Sequence, residues 1–139
     1  MRAGKVPRCF AVPPPTESAE QQMVFRWAEW AAGCWPELRW LYHIPNEGQR
    51  NSATGARMRA EGLKCGVPDI CLPIPRGGFC GLYIELKRTK GGKTTGAQEE
   101  WLEGLAQAGH YTALCKGADE AIAVLQKYLG LERVKDANH

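Results

Sequence analysis

The spacing of apolar and polar positions changes several times along the chain, and each change marks an element. Met23, Val24, Trp27, Trp30 and Ala31 recur at helical spacing. Thr16 or Ser18 can cap that helix, Ser18 with Gln21 forms a capping box, and Gly33 and Pro36 end it. "WLYHIP" (40–45) predicts a first strand closed by the turn "PNEG". A second helical segment covers 52–64 and ends at Gly66; Arg50, Arg57 and Lys64, seven apart, would line one side of it. "PDICLP" (68–73) and "CGLYIELKR" (80–88) alternate as strands around a "PRGG" hairpin turn. "TKGGKTTG" is a flexible basic loop. Thr95 opens a third helix with Trp101, Leu102, Leu105 and Ala108 inward, ending at Gly109. "HYTALCK" (110–116) is a fourth strand, and 118–129 a last amphipathic helix with Ile122, Leu125 and Leu129 in the core.

A hairpin followed by a strand–helix–strand crossover implies a mixed sheet flanked by helices, an α/β fold in a single domain. The expected boundaries are an irregular N-terminal arm over 1–15, a domain over 16–130 and a polar tail over 131–139. At 139 residues the domain is large enough for a real core.

Composition narrows the class only a little. A net charge of +3 permits a nucleic-acid partner without requiring one. The six cysteines, at 9, 34, 65, 71, 80 and 115, include no CxxC pair, so neither a zinc site nor a disulfide framework is indicated. With no signal-like or membrane-length apolar run, the expectation is a soluble, reduced, cytoplasmic protein.

The chemistry gathers on the hairpin. Glu85 and Lys87 share the polar face of their strand, a pattern that arises about once by chance in such a chain and by itself reads as a solvated pair. Asp69 changes this. It lies sixteen residues before Glu85, with the midpoint at Gly77 in the turn, so antiparallel pairing sets the two carboxylates opposite each other. Lys87 joins them at period two, while Ile70, Leu72, Ile74, Leu82, Ile84 and Leu86 form the apolar face. Pro73 and Pro75 cannot donate to the ladder, and a one-residue slip in register would turn Asp69 away. Opposed carboxylates call for a cation, and oxygen-only ligands suit Mg²⁺ or Mn²⁺. Glu20 and Gln98 precede their helices' apolar stripes by three and four residues and aim toward the same sheet face. Each also has a plain structural role, Glu20 at a helix dipole and Gln98 in a capping box with Thr95.

"HIPNEG", "GLKCGVPDICLP", "GLYIELK", the Gln98 helix start and "AGHYTALCKGADEAI" together resemble the VRR-NUC domain, the virus-type replication–repair nuclease of the PD-(D/E)xK superfamily. The ordered set runs from about Glu20 to Leu129. The resemblance implies a restriction-endonuclease-like core and an Mg²⁺- or Mn²⁺-dependent endonuclease that hydrolyses DNA phosphodiesters. It further implies selectivity for branched or Holliday-junction DNA, a homodimer, and a bacterial or phage origin. Carried over, Asp69, Glu85 and the Leu86 carbonyl would hold metal, Lys87 would be the catalytic lysine, Glu20 the helix-one acid near the metal and Gln98 the polar residue closing the site. Asn46 would lie at the rim. Arg50, Arg57, Lys64, Arg88, Lys90 and Lys93 flank the site as candidate contacts to the DNA backbone. The rival readings are a catalytically silent nucleic-acid-binding module, an RNA-directed or restriction-type nuclease, and an α/β interaction protein.

Overall fold

The computed structural model describes residues 12–45 and 52–134. In chain order the elements are α1 (Glu17–Ala31), a 3₁₀ turn (Pro36–Trp40), β1 (Tyr42–His43), α2 (Ser52–Ala60), β2 (Ile70–Leu72), β3 (Leu82–Lys87), α3 (Gly96–Gln107), β4 (Tyr111–Lys116) and α4 (Ala118–Leu129). The sheet order is β1-β2-β3-β4; β1, β2 and β3 are antiparallel neighbours, and β4 lies parallel to β3. The expected mixed sheet flanked by helices is therefore present. Its first strand is shorter than "WLYHIP" because Pro36 starts a 3₁₀ turn that runs to Trp40.

The core lies between the sheet and the α1–α4 layer. Ile70, Leu72, Leu82, Ile84 and Leu86 are fully buried and pack with Val24, Ala28, Ala121, Leu125 and Tyr128. Removing such side chains from water supplies roughly 1.5–3 kcal/mol apiece. The α1 stripe is rotated from the expected one: Glu20, Val24, Ala28 and Ala31 face inward, while Met23 and Trp30 are exposed. Helix α3 packs against β3 and β4, and none of its residues is fully buried, so Trp101, Leu102 and Leu105 are only partly covered and Ala108 is exposed. Helix α4 matches expectation at Leu125 and Leu129, with Ile122 half-buried.

Caps follow local chemistry. Thr16, rather than Ser18, caps α1 by accepting the Ala19 amide; Ser18 instead bonds Gln22. Thr95 and Gln98 form a reciprocal capping box on α3. Because α2 stops at Ala60, Lys64 lies in the following loop and does not share a helical face with Arg57. Asn46 and Arg50, most of the N-terminal arm (1–11) and the end of the tail (135–139) lie outside the described residues.

Candidate active site

Register decides the site. Ile70 pairs with Ile84 and Leu72 with Leu82, so the ladder extended by one step sets Asp69 opposite Glu85. The hairpin closes through an Arg76–Phe79 bridge across Gly77 and Gly78, and the prolines that follow Leu72 end β2 without shifting the register. Just before β2, Asp69 accepts a hydrogen bond from the Leu86 amide on Oδ2 at 2.8 Å. A side chain thus takes the place of a strand partner on β3. The Asp69 carbonyl is held from the other edge by the Ile44 amide at 2.7 Å and by His43 Nδ1 at 2.8 Å. For the second contact to be a hydrogen bond, the His43 proton must sit on Nδ1.

Asp69, Glu85 and Lys87 are all buried, with relative exposures of 4%, 1% and 6%. Burying three ionisable side chains together is costly unless they compensate one another. Lys87 Nζ lies 3.2 Å from Glu85 Oε1, and Glu85 Oε2 is buried with no hydrogen-bond partner among the described residues. Desolvation, then the neighbouring Asp69 charge, push the Glu85 carboxyl up to about 7 against the pull of Lys87. Desolvation also raises Asp69, opposed by the Leu86 amide and by Lys87 and His43. One ammonium therefore does not balance two crowded carboxylates.

Those features test whether a divalent ion fits. Two carboxylates face each other, one oxygen has no partner among the described residues, and both carboxyls are biased toward holding protons, which an added cation would reverse. Among the described residues no group of three or more His, Cys, Asp and Glu side chains is arranged as a metal site. The donor set suits an ion that is content with one or two carboxylates and water, as Mg²⁺ is.

Sequence reasoning passed over Glu17. It sits in the first turn of α1, where its carboxyl is raised by partial burial and then by Asp69, and lowered by Lys87 and Arg88. It also shares a small hollow with His43 and Asp69. The available signal was its place in the first turn, ahead of a stripe that begins at Glu20. Glu20 is buried and already engaged: its oxygens accept the Thr89 hydroxyl at 3.0 Å and the Ala118 amide at 2.5 Å, at the start of α4. The Gly117 amide donates to the Lys87 carbonyl at 2.7 Å, so this clamp adjoins the site through backbone. Gly117 has φ +87°, and a Cβ there would lie 2.6 Å from Thr89 Oγ1; only glycine fits.

Gln98 Oε1 accepts the Thr95 amide at 2.9 Å, so its side chain closes the cap of α3. The basic loop folds back over the lysine, with Gly92 packed so close that a Cβ would meet Lys87 Cβ at 3.0 Å. Arg88, Lys90 and Lys93 on this loop are exposed, as are Arg57 and Lys64 on the α2 side. Arg57 pairs at 3.6 Å with Glu61.

A mixed four-stranded sheet between helices, with an Asp–Glu–Lys cluster where two antiparallel strands part, defines a restriction-endonuclease-like α/β protein. More narrowly, the chain belongs to the VRR-NUC domain family of nucleases, whose model matches residues 16–119. A solved structure described as a VRR_NUC domain protein is similar to it with a TM-score of 0.74 and 28% identity, covering 92% of this chain and 99% of its own. No curated protein matches the chain's sequence. No helix among the described residues is long and apolar enough to cross a membrane.

Proposed function

We propose that this nuclease is an Mg²⁺- or Mn²⁺-dependent endonuclease that hydrolyses DNA phosphodiester bonds, selects branched or junction-containing DNA, and works as a homodimer. The observation that carries the reading is the buried pair of opposed carboxylates, Asp69 and Glu85, with the Lys87 ammonium 3.2 Å from the second.

Asp69 and Glu85 would hold the ion, with the Leu86 carbonyl beside them. In an extended strand a residue's N–H and C=O leave by the same edge, and the Leu86 N–H already meets Asp69. When bound, a divalent ion supplies positive charge against a phosphate and acidifies water. The chain's own residues do the rest. Lys87, fixed by Glu85, offers an ammonium to charge building on phosphorus or to the attacking water. Glu17 adds negative charge from α1 that would favour a cation. Glu20 holds the backbone beyond Lys87 in place through Thr89 and Gly117. Arg88, Lys90 and Lys93 would meet the DNA backbone on the site's own loop, with Arg57 and Lys64 on the α2 side, giving salt-sensitive, sequence-independent binding. A twofold dimer would meet the two equivalent strands of a junction symmetrically.

The test is incubation with labelled four-way, flapped and linear DNA, and with RNA of the linear sequence, in Mg²⁺, Mn²⁺ or EDTA. Cutting of branched DNA that requires the ion is the expected result. Binding without cutting would make this a silent module, and cutting confined to RNA would overturn the substrate.

A further inference from the structure

Trp101 is out of place for a core residue. It lies one turn into α3, half-buried, and it is not among the side chains packed against the hydrophobic core. No other aromatic ring among the described residues stacks on it. It lines two neighbouring hollows of about 480 and 450 Å³, and Lys64 lines both as well. A large apolar ring that no other ring covers among the described residues, set between two open spaces with a cation beside it, is arranged to take a flat partner.

The position of the groove says which partner. The second hollow is also lined by Ile44 and Val67. Ile44 donates its amide to the Asp69 carbonyl at 2.7 Å, and Val67 is two residues before Asp69. The groove therefore borders the backbone that carries Asp69. Its wall is firm where the loop meets α3: Gly66, at φ +88°, sits so near Ala97 that a Cβ would fall 2.6 Å from the Ala97 carbonyl carbon. Glu100 lines the first hollow and Glu61, which pairs with Arg57 at 3.6 Å, the second, so Lys64, which lines both, is the lining cation that can meet a phosphate.

We infer that Trp101 and Lys64 form a subsite for an unpaired nucleotide next to the cut, its base stacked on the indole and its phosphate on the ammonium. This rests on the DNA-nuclease reading and deepens it. Within a duplex both faces of each base are occupied by neighbouring bases, so only an unstacked nucleotide can present a face to Trp101. The preferred substrate would then be a duplex carrying a single-stranded tail or gap, and branch selectivity would come from this groove as well as from any dimer.

The experiment compares a blunt hairpin duplex, the same duplex with a short single-stranded tail, and a tail of abasic sugars, by fluorescence anisotropy in EDTA. Wild type is expected to bind the tailed duplex about tenfold more tightly than the blunt one, the scale of one stacked base. The abasic tail should lose that gain. Trp101→Leu should bind all three like the blunt duplex, Trp101→Phe should keep most of the preference, and Lys64→Ala should flatten the salt slope by about one. Thermal melts establish that each variant is folded. A folded Trp101→Leu that keeps the preference, or an abasic tail bound as tightly as the natural one, would overturn the subsite while leaving the nuclease reading intact. Wild type that binds no DNA at all would remove that reading and this subsite together. Dissociation of an oligomer by Trp101→Leu in sedimentation, with DNA affinities unchanged, would assign the groove to a second copy and overturn the inference.

Discussion

Thr89 gives its hydroxyl to Glu20 at 3.0 Å, so an acid on the first helix holds the chain two residues beyond the site lysine. The same carboxylate accepts the Ala118 amide and caps the last helix. Glu20→Ala leaves that amide unsatisfied in a buried place and should cost about 2–3 kcal/mol in chemical denaturation. Glu20→Gln keeps an acceptor and should lose less. Neither change should move Mn²⁺ affinity in calorimetry by more than about twofold, whereas a metal ligand would lose tenfold or more.

Gly117→Ala puts a methyl group into the same clamp from a left-handed backbone. We expect a loss of about 2 kcal/mol or more in a denaturant melt. Thr89→Gly together with Gly117→Ala should recover part of it by opening the space, and no recovery would locate the strain elsewhere.

Lys87→Met removes the ammonium but keeps most of the volume. Cleavage should fall by about 10²–10³-fold while anisotropy shows DNA affinity within about threefold of wild type, the pattern of a group that acts mainly in the transition state. A parallel loss of binding would make Lys87 a DNA contact only.

Asp69→Asn keeps an oxygen for the Leu86 amide but loses the charge. Calorimetry should show Mn²⁺ affinity weakened at least tenfold with the fold intact. Unchanged binding would remove Asp69 from the ligand set.

The crowded carboxylates set a pH signature for the metal-free protein. Glu85 is raised from an ordinary 4.5 to about 7, so the folded chain holds that proton more tightly than the unfolded chain does. The stability this contributes is fully present below about pH 4.5 and is lost as pH rises through about 7. Between those values, this group makes thermal melts in EDTA fall with increasing pH. Glu85→Gln should flatten that slope, and adding Mn²⁺ to wild type should raise the melting temperature more at pH 8 than at pH 5. A rising stabilisation by Mn²⁺ at low pH would contradict the assignment.

Much of the site was legible because period and distance in sequence translate directly into geometry on a hairpin. The spacing of Asp69 and Glu85 about Gly77 fixes their opposition once the turn closes, and the ladder carries it. The Thr95–Gln98 box was equally local, and it forms. Helix faces were harder to read. Met23 and Trp30 fit an apolar stripe by spacing, yet α1 turns Glu20, Val24, Ala28 and Ala31 inward, since a buried carboxylate is tolerated where it caps α4. Trp101 likewise fits a core pattern, but α3 rests on the sheet with no fully buried residue.

The amino-acid order alone determined the element sequence, the hairpin and the facing acids, because these depend on neighbours within one strand pair or one helical turn. The tertiary structure set Glu17 near those carboxylates and Glu20 as the clamp on α4, and it turned the Trp101 indole toward open space. Those outcomes depend on how helices sit against the sheet, and packing between distant segments sets that rotation, which no local period encodes.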